Sequence, residues 1–292
     1  GSFLSLPHIS LTLLLVVFSV GYYLYTQSFG RPLFILLLLL MVPLATTELG
    51  TDSWITELLV PFLGDNAGWV VVYTALIMTV LRFYAGPIVH RISPLGLLAV
   101  SSAIALIGLV ILSTATGFMI FIAATIYGLG KTFFWPTMLG VAGERFPKGG
   151  ALTLNAITGV GMLTAGLFGV VFLGNIQDKQ IDRELQKQNP AIHAKAMGNE
   201  KASIFGKYKP LDHKKVSDLS STDKAIISDV QTTSKQSALS TVAIFPGIML
   251  ISYLGMIFYF RSRGGYKPIE LSEENSSASQ AKISSEEDDS EK

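Results

Sequence analysis

Apolar residues run along this chain for lengths that a soluble helix does not need. Stretches such as LFILLLLLMV do not alternate with period two, so they are not the strands of a barrel, and they show no polar face at helical period. A bilayer core of roughly 30 Å takes about 20 mainly apolar residues in helical form. Runs of that size cover residues 10–26, 33–62, 69–89, 94–113, 118–142, 150–174 and 240–260. The pattern predicts an all-α membrane protein, with a six-helix bundle from residue 33 onward and one transmembrane helix preceding it.

Polar positions divide the chain further. Residues 1–32 read as the preceding helix with a short cytoplasmic linker, 33–175 as five helices of the bundle, and 238–261 as the last. Between them, 176–237 is polar and mixed in charge, with helix-like stretches such as IQDKQIDRELQKQ. It reads as a partly ordered extracytoplasmic loop rather than a second folded domain. Residues 262–292 are acidic and Ser-rich, the composition of a disordered tail. The chain begins Gly-Ser, and its first apolar run lacks the basic stretch of a secretory signal. That run is read as a true span with further sequence expected upstream.

Composition sharpens this picture. Half of the 292 residues are hydrophobic and 15% are charged, with a mean hydropathy of +0.49. Lys plus Arg (22) and Asp plus Glu (21) nearly cancel, which gives no reason to expect a nucleic-acid partner. Nineteen of these charges fall in 176–237 and twelve in 262–292, leaving twelve for the apolar remainder. There is no cysteine, hence no disulfide, thiol nucleophile or zinc–thiolate site. The motifs GxxxxGK[ST], HExxH and GxSxG do not occur. The sequence is therefore read as non-enzymatic, without cofactor or metal.

Arg31, Arg91, Arg145, Lys148, Arg261 and Arg263 all fall on one side if the helices alternate. The opposite short loops, GDNAG at 64–68 and TATG at 114–117, carry no basic residue. The basic side is then cytoplasmic, and the C-terminus with it, in a plasma or inner membrane.

One loop carries a recognisable signature. Residues 82–94 read Arg-Phe-Tyr-Ala-Gly-Pro-Ile-Val-His-Arg-Ile-Ser-Pro. This resembles the major facilitator superfamily loop motif, in which a Gly, three residues, an acid, an Arg, one residue and a second Gly follow in order. Gly86 and Arg91 match, while His90 replaces the acid and Ser93 the second Gly, as in the degenerate copy of the family's second half. The runs ATTELGTDSWITELL, KTFFWPTMLGVAGERFP and GALTLNAITGVGMLTAG look like helices seven, ten and eleven of such transporters, nearest the fucose-permease-like sugar–proton symporters. The resemblance implies the C-terminal six-helix half of a secondary transporter moving a small polar solute, a sugar in the branch it is nearest to, with protons. It also implies a missing N-terminal six-helix half as partner, with the solute between the two.

Charges inside spans cost several kcal/mol, so each asks for a partner or a pathway. Glu48, Asp52 and Glu57 lie in the second run, Arg82 in the third and Lys131 in the fifth. Glu48 and Lys131 sit halfway along their runs and can meet across a cavity. Glu48 and Asp52 are four apart, on one helix face unless Gly50 unwinds it. Either these carboxylates take up a proton or bind hydroxyls, with Lys131 as counter-charge, or the pair is a fixed tie between helices. Trp54 and Trp135, with Phe133 and Phe134, either stack on a sugar ring, as in sugar carriers, or pack helices. Asn155 either lines the path or bonds a neighbouring helix. Arg82, Gly86, His90 and Arg91 form the expected gating loop, where Gly86 allows close approach of helix ends and Arg82 either snorkels or reaches an acid such as Glu144. An alternative function is a non-transporting membrane protein that uses this scaffold for binding or assembly through 176–237.

Overall fold

The computed structural model describes residues 31–52, 55–56, 60, 64–166, 170–203 and 206–269; for residues 65, 88–90, 170, 171 and 173 it describes the backbone alone. The first apolar run, the acidic tail from 270, Trp54 and Glu57 lie outside these residues.

Twelve helices and one small hairpin are described: α1 Pro32–Gly50, α2 Trp69–Phe83, α3 Ala85–Arg91, α4 Pro94–Leu112, α5 Phe118–Lys131, α6 Phe134–Arg145, α7 Gly150–Thr164, α8 Val170–Gln188, α9 Pro190–Ala196, β1 Lys201–Ser203, β2 Gly206–Tyr208, α10 His213–Ser217, α11 Ser221–Val242 and α12 Ile244–Arg261. Among the described residues, five helical stretches are long and apolar enough to cross a membrane: Pro32–Gly50, Asn66–Phe83, Pro94–Leu112, Phe118–Arg145 and Ser221–Arg261. They coincide with five of the expected runs.

Local chemistry fixes several boundaries. Pro32 and Pro94 open α1 and α4, where a missing N–H costs nothing, and the Ser93 hydroxyl accepts the Gly96 N–H at 3.2 Å. Helix α4 is the packing centre, with α5 and α12 against it and α1 against α7, α12 and α6. The core includes Leu37, Leu44, Leu98, Leu109, Tyr127, Phe134 and Tyr253. Close approach depends on glycine at two crossings of α4 and α5. A Cβ on Gly130 would stand 2.4 Å from the Ala105 nitrogen, and one on Gly108 would stand 2.7 Å from the Tyr127 Cα.

Helix α7 is described for 15 residues, and α2 keeps one narrow buried edge, Val70 and Thr74. The third run ends at Phe83, earlier than its hydropathy implies. A turn at Tyr84 then starts α3, so the expected gating loop is largely a short helix.

The segment 176–237 differs most from expectation. It is folded, not a partly ordered loop. Helices α8 and α11 pack on each other, with α9, α10 and the antiparallel β1–β2 hairpin beside them. Ile181, Leu185, Ile192, Ala196, Met197, Ile227 and Val230 form a separate hydrophobic cluster. The reason lies in spacing: Ile181 with Leu185 and Ile227 with Val230 recur at helical period, so each helix presents one apolar edge despite its many charges. Asp212 and Ser220 cap α10 and α11 by accepting backbone N–H groups. The helices also ignore the hydropathy boundaries. Helix α8 runs through residue 176, and α11, largely polar, leads through a turn at Ala243 into the apolar α12, a helical stretch covering Ser221–Arg261.

Candidate functional site

Two helix breaks create the site. Helix α1 ends at Gly50, and the chain turns at Thr51 before resuming with Asp52. Helix α5 ends at Lys131, and α6 starts at Phe134 after a turn at Thr132 and Phe133. Pro136 explains the second break: with no N–H, it cannot bond the carbonyl four residues back, that of Thr132. That freed carbonyl accepts the Arg82 Nε–H at 2.9 Å. Two orphan ends are thus set against each other inside the bundle, each with unsatisfied backbone groups.

The charged side chains satisfy those groups. Glu48, in the last turn of α1, accepts from Arg82 Nη2 at 3.1 Å through Oε1 and from the Trp135 backbone N–H at 3.1 Å through Oε2. It therefore caps the N-terminal end of α6, where the helix dipole favours an anion. Lys131 mirrors this arrangement. Its Nζ donates to an Asp52 carboxylate oxygen and lies 3.4 Å from the Glu48 backbone carbonyl, one of the last acceptors of α1. Each pair has a dry end and a reachable end: Glu48 and Lys131 side chains are 6% and 2% exposed, Arg82 and Asp52 40% and 36%.

Between the pairs lies a buried polar link. The Tyr127 hydroxyl donates to the Thr47 carbonyl and meets Thr51 Oγ1 at 2.8 Å, while the Lys131 ammonium sits 5.6 Å from the Tyr127 ring centre. Thr47 and Thr51 each bond the carbonyl four residues earlier, which holds their hydroxyls against the helix as it unwinds. Asp52, Thr56, Thr74, Tyr127 and Lys131 line a narrow cleft of about 10 Å³, room for roughly one water.

Several expectations are redrawn by these positions. The Glu48 carboxylate pairs with Arg82, while Lys131, at the end of α5, pairs with Asp52 and meets Glu48 at its backbone carbonyl. Arg82 joins this cluster and not a peripheral gate; Glu144 instead accepts from the Tyr266 hydroxyl at 2.7 Å. Trp135 contributes its backbone N–H, while its ring packs where a Cβ on Gly161 would be, 2.7 Å away. Asn155 is exposed on α7, away from the cluster, with no side-chain hydrogen bond among the described residues. Gly86 is exposed and meets nothing within 4 Å of where its Cβ would stand, so the close approach expected there is absent. Arg91 is exposed at the end of α3, and the side chain of His90, like all of Trp54, lies outside the described residues.

Sequence reasoning missed Tyr127, Thr47, Thr51 and Thr132. One signal was available: Tyr127 precedes Lys131 by four residues, so one helix face carries both.

Among the described residues no group of His, Asp and Glu is arranged to hold a metal ion. No protein-family model, no curated protein and no solved structure matches this chain.

Proposed function

We propose that the chain is membrane-embedded and forms the six-helix half of a secondary transporter, moving a small polar solute, a sugar by the resemblance of its motifs, together with protons. One observation carries this reading: two interrupted helices meet end to end in an apolar bundle, and their exposed ends are held by two acid–base pairs, Glu48–Arg82 and Asp52–Lys131. Interrupted helices of this kind build ion and solute sites at the midplane of transporters. Isolated structural ties need no such break.

Protonation of Glu48 removes the charge that holds Arg82 and the α6 end together. Both are then free to move relative to α1, and Arg82, already part-exposed, can turn toward the solute. Asp52 and Lys131 offer an acceptor and a donor to hydroxyls at the reachable side of the break. The described cleft is too small for a sugar, so α2 or the unwound segment must move aside for one. The exposed sides of α2 and α7, with Asn155, are where the second six-helix half of the family architecture would sit.

The test is proton-driven uptake of a labelled monosaccharide panel into liposomes containing the full-length protein. Glu48→Gln, which mimics the protonated acid, is expected to abolish accumulation while preserving exchange of solute across the membrane. Accumulation at the wild-type level by this variant removes Glu48 from the mechanism.

A second reading has its own observation. The folded lobe of 176–237, with its separate core, fits a scaffold that binds or assembles rather than transports. Replacing residues 190–219 with a short linker separates the two: uptake survives on the transport reading, and a bound partner is lost without change in uptake on the other.

A further inference from the structure

The end of the bundle that begins α1 and ends α6 and α12 carries a different arrangement. Two hollows there share Arg31, Arg145 and Phe146 as a common wall. The larger, about 650 Å³, is a mostly apolar crevice between α1 and α12, floored by Leu33, Leu36, Gly255 and Met256. The smaller, about 270 Å³, adds Lys148 and the start of α7. Two arginines thus stand in the wall shared with the oily slot, and Lys148 lines the adjoining hollow.

Their charge is unmatched among the described residues. Among the described residues Arg31, Arg145 and Lys148 make no ion pair, and Glu144 is engaged by the Tyr266 hydroxyl. Arg145 is nevertheless held in place. Its guanidinium packs 4.7 Å from the Phe260 ring centre, and Nη1 donates to the Lys267 carbonyl at 2.7 Å. Its Nε is buried and has no acceptor among the described residues. A buried donor without an acceptor is unfavourable, and a ligand oxygen that reaches it would remove that cost.

We propose that this is a binding site for an anionic phospholipid, with the phosphate held by Arg31, Arg145 and Lys148 and one acyl chain lying in the α1–α12 crevice. A guanidinium pairs with phosphate oxygens through charge-assisted hydrogen bonds, and basic pockets between helix ends at a membrane surface recognise such headgroups. Inorganic phosphate shares the headgroup chemistry but has no use for the crevice. The inference rests on the membrane reading and not on transport, since no residue of the Glu48 cluster takes part.

The experiment is native mass spectrometry of the full chain in a neutral maltoside detergent, titrated with dioleoyl phosphatidylglycerol, dioleoyl phosphatidylcholine or inorganic phosphate. Phosphatidylglycerol is expected to be retained at least tenfold better than phosphatidylcholine. The Arg31→Gln/Arg145→Gln variant is expected to lose that preference. Gly255→Leu tests the oily half separately: Gly255 lines the crevice and a Cβ there meets no atom within 4 Å, so a larger side chain is introduced at the slot without a clash at its root. It is expected to lower phosphatidylglycerol retention at least tenfold. Gel filtration and helical circular dichroism establish that each variant folds, and Lys148→Gln stands in if the double variant does not. Equal retention of the two lipids, or unchanged retention in Gly255→Leu, overturns the proposal. Binding of inorganic phosphate as tight as that of phosphatidylglycerol overturns the lipid assignment, as does retention that appears only after residues 270–292 are removed, which would make the acidic tail the occupant. Uptake measured in parallel keeps the outcomes distinct, since a chain that transports nothing still passes or fails this test.

Discussion

Glu48 joins three parts of the chain at one carboxylate: its own helix, the Arg82 side chain and the Trp135 backbone N–H in the first turn of α6. Removing Arg82 leaves the carboxylate buried with a single donor. Arg82→Gln is expected to lower stability by about 1–3 kcal/mol, the cost of an unsatisfied buried group, moderated because Arg82 is part-exposed. Glu48→Gln/Arg82→Gln is expected to be less destabilised than the sum of the two single variants, measured as melting temperatures in detergent and combined as a double-mutant cycle. The charges themselves were legible in the sequence, since an acid inside an apolar run announces itself. Lys131 as a counter-charge was legible too, but Arg82 as the partner of Glu48 was not. That contact goes with the break before Pro136, which frees the Thr132 carbonyl to accept the Arg82 Nε–H. A charge outside the spans makes a separate prediction. Burial pushes the Asp178 carboxyl up to about 6, from an ordinary 3.8, with Lys201 and His213 pulling it down. The folded lobe therefore binds this proton more tightly than the unfolded chain does. The group favours folding most below pH about 4, and that contribution is lost as pH rises through about 6. Asp178→Asn is expected to flatten this slope and to raise protection of α8 amides at pH 7, read by hydrogen exchange.

Helices α4 and α5 meet through glycine, and the consequences differ by position. Gly130→Ala places a methyl 2.4 Å from the Ala105 nitrogen, which forces the two helices apart and drags Lys131 with them. Overpacking of this kind costs about 1–3 kcal/mol. Gly159→Ala, on the open side of α7, meets nothing within 4 Å and is expected to be neutral or stabilising by up to about 1 kcal/mol. Thermal unfolding of the two variants in one detergent checks both, and equal losses would refute the close-crossing account. At this scale the apolar runs gave five membrane-length helical stretches correctly, because length and hydropathy suffice for that. Interruptions were half legible: Gly50 stood out, yet nothing in the pattern said that the two breaks face each other. Helix α3 was hidden because Gly86 and Pro87 read as loop, although Pro is well tolerated in a first helical turn.

Across the whole molecule, two hydrophobic cores are joined by continuous helices rather than by a linker. The lobe went unread because its average is set by lysines and aspartates, while its core rests on a few residues at helical spacing. Leu185 is fully buried there, and Leu185→Ala is expected to cost about 2–5 kcal/mol, confined to the lobe. Hydrogen exchange should then rise in α8, α9 and α11 while α4 and α5 stay protected; loss of protection throughout would mean that the two cores unfold as one. The lobe is anchored at its root, where Gln236 Nε2 donates to the carbonyls of Leu112 and Ala115 beside the turn between α4 and α5.

The stretch Ser221–Arg261 counts 41 residues, two helices that meet at Ala243. At ~1.5 Å per residue they total about 60 Å, roughly twice the hydrocarbon thickness of a bilayer. On the membrane reading proposed above, α12 sits in the lipid and α11 stands clear of it as a lever about 30 Å long. A lean of ten degrees then sweeps its tip by about 5 Å, so fluorescent labels placed there turn a shift among oily side chains into a distance readable from the water.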